Sequence, residues 1–462
     1  MKSLSLNEIY KVLKLNDNLR ETIEIKHLTD DITKIKDNTV AFHIKRDEEL
    51  NISKFKELNN CFIITDQPLL NSEVLDEEKF IHVLNVNKAY QKIINYYRNL
   101  FDIPVIAITG TCGKTTTKEM IRQILEKKYQ VAATISNKNN LAYNNDYLFS
   151  IDEDTDFGVF ETAISYPGNL ITGCSFFKPT IGVITNIGID HLSGCKTMEN
   201  YIRAKGEMLA GLGYQGTLII NNDDENIRKI NFKPYKGNMI TFGIKNKSDY
   251  YADKIEYLDT GMEFSLIHQN QENRVFVPSF GIHNVYNALA ALSVLSVLGI
   301  DIDYSIKELS KVEFIRSHLE FHKGINNSTI IDDTWSSNPT SLKAALEVLK
   351  EKGKDKVKIV ILSKISYLGN YAEEEYEKIG KMINDYGIDF IITTDSHSKK
   401  IGLSAFNYGM KPEFHLHSQD NNELRNYLEC LLDKNSIALF KTSMFEQTIT
   451  DVIKELIKEK KR

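Results

Sequence analysis

The 462-residue chain lacks the features that would assign it to an oxidising compartment, a nucleic acid or a lipid bilayer. Its five cysteines, Cys61, Cys112, Cys174, Cys195 and Cys430, are scattered, odd in number and without a C-x-x-C pair. That argues against a disulfide framework or a zinc site and predicts a cytoplasmic protein. Positive charge is not in excess: 57 lysines and arginines meet 63 acids, a net charge of −6, so no nucleic-acid partner is expected. Long apolar runs are missing as well. The longest, Ala288 to Ile300, spans about 13 residues with two serines, too short for a bilayer, and reads as a core helix. The opening Met1-Lys-Ser-Leu-Ser-Leu-Asn-Glu8 has no apolar centre, so no signal peptide is expected. Internal repeats and low-complexity tracts are absent. With 42% hydrophobic and 26% charged residues, the composition is that of a globular protein, and the length predicts about three domains.

One stretch carries chemistry by itself. Val105 to Thr109 is a buried apolar strand, Gly110-Thr-Cys-Gly113 a glycine-bounded turn, and Lys114-Thr-Thr-Thr117 leads into a helix expected from Lys118 to Lys127. Strand, turn and helix make a phosphate cradle, because glycines let the backbone approach an anion and a helix N-terminus offers free N–H groups. Gly110, Thr111, Cys112, Gly113, Lys114, Thr115 and Thr116 are the expected nucleotide contacts. Lys114 supplies a point charge, and Thr115 or Thr116 a hydroxyl for a phosphate-bridging Mg2+. The spacing departs from the common eight-residue form, since Ile108 stands where the first glycine would be. Cys112, inside this loop, has no activating sequence neighbour and reads as a bystander.

Around this stretch the chain reads as three α/β units. Residues 1–100 predict a small α/β domain, with a helix at Leu6 to Leu13, strands at Asn38 to Ile44 and Cys61 to Thr65, and a helix at Val86 to Leu100. Residues 101–312 predict a parallel sheet with helices on both faces, its strands at Val105–Thr109, Asp156–Phe160, Ile181–Thr185 and Thr217–Ile220. After a linker at Lys311 to Ser317, residues 313–462 predict a Rossmann-like domain. Its strands fall at Val357–Leu362, Asp389–Thr393 and Ser436–Phe440, its helices at Ser341–Glu351, Glu373–Tyr386 and Asn422–Leu432. The charged runs Glu373 to Glu375 and Lys458 to Arg462 read as solvated helix faces. Ligands of open parallel sheets bind beyond the strand carboxyl ends, so Gly110, Glu161 and Asn186 to His191 should gather round one site. Glu161, ending one strand, and His191, following the next, are credible metal ligands there.

The chain resembles the Mur ligases, and among them the D-alanyl-D-alanine-adding type, on seven motifs in order. They are the phosphate loop, Thr134-x-x-Asn-x-Asn-Asn140, Glu161, Ile184 to Leu192, Ala204-Lys-Gly-Glu207, Gly281 to Leu289, and Asp332-Asp-Thr-Trp-Ser-Ser-Asn-Pro339. The resemblance implies an ATP-dependent ligase that activates a carboxylate as an acyl phosphate and lets an amine open it to an amide. It implies two Mg2+ ions, held by Thr115, Glu161, His191 and a carbamylated Lys205, with Lys114, Lys205, His191 and Glu161 as catalytic residues. Asn284 and Asn287 would contact the base and Asp333 the ribose. Partners would be a small-molecule or peptide carboxylate and an amine, and the protein a monomer.

Some substrate-reading positions depart from the pattern. Leu28-Thr-Asp-Asp-Ile32 replaces Asp-Ser-Arg, no Asp-Gly-His follows Phe42, and Tyr143 and Asn145 replace glycine and proline. Ser363-Lys364 replaces Gly-Asp, Met444 an arginine, and His318 stands in register with another, with Arg316 two places earlier. These changes predict a ligase with diverged substrate recognition, serving cell-wall or specialised biosynthesis. The alternatives are the D-alanyl-D-alanine ligase of cell-wall synthesis itself, a folate-type ligase, a P-loop kinase or ATPase, and a non-catalytic nucleotide-binding regulator.

Overall fold

In a computed structural model of the chain, the structure describes residues 1–15, 23–45, 52–67, 77–418, 420–443 and 446–457. Position 444 and the terminal basic run lie outside them.

A nine-stranded sheet forms the middle of the molecule. From one edge its strands are Gln271–Val277, Met262–His268, Tyr250–Tyr257, Asn238–Gly243, Thr217–Asn221, Ile181–Ile184, Val105–Thr109, Phe157–Glu161 and Val131–Ala133. The last six pair in parallel, as the alternation of apolar strands and helices predicts. The first three are joined antiparallel and were missed by the sequence reading. Buried side chains in them are interleaved with half-buried or exposed ones, a two-sided pattern weaker than the continuous apolar runs of the buried strands. Val105 to Ile108 are fully buried, each large aliphatic side chain contributing about 1.5–3 kcal/mol.

The helix after the phosphate loop runs Lys114–Leu125, four residues earlier than expected. Three threonines in its first turn are weak helix formers, but Gly113 at the N-cap, in the left-handed region, sets the helix off immediately. The Ala288–Ile300 run forms, up to Val297, the C-terminal part of a helix, Ile282–Val297, that packs on the Lys114–Leu125 helix over the sheet; its last three residues lie past the helix end.

A second sheet runs Glu320–Lys323, Thr329–Asp333, Ser436–Lys441, Val357–Leu362, Phe390–Thr393 and His415–His417, parallel except for its first strand. That first strand, Glu320–Lys323, turns back from the expected linker as an antiparallel edge. Helices Pro339–Lys352, Ala372–Asp385 and Asn421–Leu431 match the predicted ones within two residues at each end, and a further helix, Ser396–Ala405, went unpredicted. Glu375 of the acidic run is buried against Lys378 at 2.8 Å and is not the solvated group expected. Residues 27–82 supply a smaller four-stranded parallel sheet, His27–Thr29, Thr39–Phe42, Phe62–Thr65 and Phe80–His82. It packs under the helix Val86–Arg98. No helix among the described residues is long and apolar enough to cross a membrane.

Candidate active site

The carboxyl ends of the two large sheets face each other across a cleft of about 690 Å³. Its central wall begins with the phosphate loop. A Cβ on Gly110 would stand 1.9 Å from Thr185 Oγ1, and one on Gly113, at φ +82, 2.2 Å from Asn287 Oδ1, so neither position admits a side chain. The Cys112 peptide is held from both ends: its N–H donates to Asn186 Oδ1 at 2.9 Å, and its carbonyl accepts from Asn186 Nδ2 at 2.9 Å and Thr185 Oγ1 at 2.6 Å. The loop is thus pre-shaped by the strand end beside it. Burial raises the Cys112 thiol above its ordinary range, which leaves it protonated and a poor nucleophile. Lys114 Nζ donates to the carbonyls of Gly110 and Thr111, both at 3.0 Å.

Glu161 is buried, and its carboxylate is fixed at both oxygens. Thr115 Oγ1 donates to Oε2 at 2.9 Å and Asn139 Nδ2 to Oε1 at 2.6 Å, while its own N–H donates to Thr134 Oγ1 at 2.9 Å. The turn carrying Asn139 is tied down by Lys118, fully buried one helical turn beyond Lys114. Its ammonium donates to the carbonyls of Thr134 and Ser136, each at 2.6 Å. Sequence reasoning missed Lys118, although its i, i+4 spacing from Lys114 puts both on one helix face.

His191 takes a left-handed conformation at φ 53, and its ring stacks on Tyr367 of the opposite sheet at 5.3 Å. Burial lowers its pKa against the pull of Asp190, so the imidazole is held neutral, the form a metal requires. Lys205 does not border the cleft. It lies under the loop, almost fully buried, donating to Gly110 O at 2.9 Å and Thr109 Oγ1 at 3.2 Å. Burial, then the nearby Lys114 ammonium, holds Lys205 well below the usual lysine range. A buried neutral amine is a nucleophile.

Asn284 and Asn287 border the cleft, but their amides are spent on a strut. Asn284 Nδ2 donates to Ser279 Oγ at 3.0 Å and Phe280 O at 2.9 Å, Asn287 Nδ2 donates to Asn284 Oδ1 at 3.1 Å, and Thr117 Oγ1 donates to Asn287 Oδ1 at 3.5 Å. Asp333 closes the opposite wall. It sits in strand register with Lys441 and pairs with it at 2.7 Å, both side chains buried. Lys114, Thr115, Thr116, Glu161, His191 and Asp333 therefore meet in one cleft, with Lys205 beneath its floor.

A glycine-bounded loop at a helix N-terminus, a fixed carboxylate and a neutral imidazole, facing a second doubly wound sheet, are the groups that an enzyme of phosphoryl transfer needs. Comparison with known proteins makes this specific. Residues 108–295 match the family model described as the Mur ligase middle domain. A ligase of Rickettsia prowazekii, named UDP-N-acetylmuramoyl-tripeptide--D-alanyl-D-alanine ligase, is 30% identical over 335 residues, 71% of this chain and 74% of that protein. The crystal structure of MurF from Acinetobacter baumannii superposes with a TM-score of 0.83 at 23% identity, covering 98% of this chain and 99% of that one. The MurF ligase of Thermotoga maritima, in complex with ADP, superposes at 0.78 and 21% identity over 93% and 97%. The chain belongs to the Mur ligase family. It is an ATP-dependent ligase acting on small-molecule substrates.

Proposed function

We propose that the chain joins a peptide carboxylate to an amine by the acyl-phosphate route, with recognition of the two substrates diverged from that of its relatives. The observation that carries this reading is the contrast between the two walls. The groups that would handle ATP, Lys114, Thr115 and Glu161, are gathered and fixed by hydrogen bonds. The opposite wall presents Lys364, where the family pattern has an acid. Lys114 and the loop N–H groups would stabilise charge on the transferred phosphoryl group, and the closed cleft would keep water from the acyl phosphate. Asp333 would orient the ribose, while the Asn284–Asn287 strut would shape the base pocket.

The oxygen donors that suit Mg2+ are the Thr115 hydroxyl and the Glu161 carboxylate, 2.9 Å apart; the neutral His191 imidazole borders the same cleft, and a carbamate formed on the buried Lys205 amine would have to reach it from beneath the floor. Thr115, Glu161, His191 and a carbamylated Lys205 would hold one or two ions, which neutralise phosphate charge when bound. The carbamate is testable apart from turnover: 13C-labelled bicarbonate should give a carbamate resonance that Lys205→Met abolishes. The units 1–100, 101–312 and 313–462 would take the acceptor, ATP and the amine in turn, in a cytoplasmic monomer.

A second reading is that the substrates are those in the relatives' name, and the sharing of that name by proteins aligned over most of this chain favours it. Phosphate release with UDP-N-acetylmuramoyl-tripeptide and D-alanyl-D-alanine, against a panel of other acids and amines, separates the two. Turnover of the named pair as fast as any other removes the divergence. Absence of ATP-dependent product with every pair removes the ligase reading.

A further inference from the structure

The two large sheets do more than face each other; they touch beside His191, in an arrangement that the proposed chemistry does not by itself require. Tyr367 leaves the loop after the strand Val357–Leu362 and lays its ring on the His191 imidazole, 5.3 Å between centroids and 27° between planes. Its backbone carbonyl accepts the Ser193 N–H at 3.2 Å. Two residues on, a Cβ on Gly369 would lie 3.2 Å from Ser193 N, so this loop sits against the backbone that carries His191. Contacts between the two units continue along the segment that precedes His191. Asn338 Nδ2 donates to Asp190 Oδ2 at 3.3 Å, and a Cβ on Gly188 would stand 2.0 Å from Thr340 Oγ1.

Both partners of the stack are held in unfavourable backbone conformations. His191 has φ 53 and Tyr367 φ 65, in the left-handed region that bulky side chains avoid. Tyr367 is also more than half exposed, at 55%, so burial of its own ring does not account for the conformation. Such strain persists only where surrounding contacts over-determine it. His191 is held within its own segment, its N–H donating to Asp190 Oδ1 at 2.8 Å and its carbonyl accepting from the Gly194 and Cys195 N–H groups, and across the sheets by the Tyr367 ring and, through Ser193, the Tyr367 carbonyl.

We propose that Tyr367 is a positioning residue, a clasp from the C-terminal sheet that fixes the His191 imidazole only when that sheet is docked on the central one. The inference rests on the ligase reading for its purpose. If His191 serves the phosphoryl-transfer site, the clasp makes that site complete only with the amine-binding side in place. Activation of the acid is thereby coupled to closure, and an acyl phosphate is not formed in an open cleft exposed to water.

The test uses the full chain with Tyr367→Gly and Tyr367→Phe. Glycine accepts φ 65 freely, so Tyr367→Gly should keep or raise the thermal midpoint while removing the ring. It should lower kcat about tenfold, the factor a stacked aromatic pair can supply, and leave KM for ATP within about twofold. Tyr367→Phe keeps the ring and should restore wild-type kcat. In parallel, the His191 imidazole resonance, assigned by its loss in His191→Gln, should move in Tyr367→Gly and stay in place in Tyr367→Phe. An imidazole resonance indifferent to Tyr367→Gly overturns the clasp, as does a Phe variant no better than the Gly variant. If no acid and amine pair is ligated by the wild type, the ligase reading fails, and the imidazole resonance still decides the clasp.

Discussion

The central wall of the cleft and the C-terminal wall are both built from the carboxyl ends of parallel strands, yet they hold their polar groups in different ways. On the central wall the side chains are locked by neighbours: Glu161 accepts at both oxygens, the Cys112 peptide is gripped by Asn186, and Lys118 is buried under the turn carrying Asn139. On the C-terminal wall Asp333 and Lys441 are fixed as a buried pair in strand register, and Asn338 caps its helix while reaching Asp190. Lys364 and Ser366 belong to a loop that borders the cleft beside the exposed Tyr367. Phosphate transfer needs one fixed geometry, whereas choice of amine can be retuned on loops without rebuilding a sheet.

The comparison can be broken most directly at Lys114. Lys114→Ala should lower kcat by about 10²–10³, or about 3–4 kcal/mol of transition-state stabilisation, by the same factor for every acid and amine ligated. A loss that varies with the amine, seen in phosphate release, would mean that the central wall reads substrate too. Lys118→Met should cost about 2–4 kcal/mol of stability in urea unfolding, because it leaves the Thr134 and Ser136 carbonyls without a donor and the Glu119 carboxylate without its 2.8 Å partner.

His283, between the walls, gives a pH test. Burial depresses its pKa from the ordinary histidine range, near 6.5, to about 4. A depressed histidine is neutral in both states above pH 6.5; below that the unfolded chain takes up the proton first, so stability falls as the pH drops from 6.5 towards 4. The loss is up to about 3 kcal/mol, and His283→Asn should flatten that limb of the stability curve measured by urea unfolding. The smallest effect belongs to the C-terminal wall. Lys364→Asp should change KM for the amine by a few fold, within about 1 kcal/mol, and leave KM for ATP untouched. A change in KM for ATP instead would erase the distinction between the walls.

The phosphate loop, Glu161 and the segment to His191 were legible in the sequence because continuous apolar strands announce buried parallel pairing, and ligands gather past such strand ends. The edge strands from 250 to 277 were not, since half of their side chains face outward. Lys118 also escaped, because a lysine on a helix is ordinarily solvated and only the fold shows that this one is sealed between carbonyls.

By itself the sequence determined the three α/β units and the glycine-bounded turn between strand and helix, because glycine placement and apolar periodicity are local and survive in one dimension; the family resemblance rested on seven motifs in order. Tertiary structure alone decided which lysine faces the cleft and which lies beneath it, that Asp333 is met by Lys441, and that Tyr367 reaches His191 from the other sheet. Those contacts join residues more than a hundred positions apart in the case of Asp333 and Lys441, and their geometry exists only once two sheets have packed.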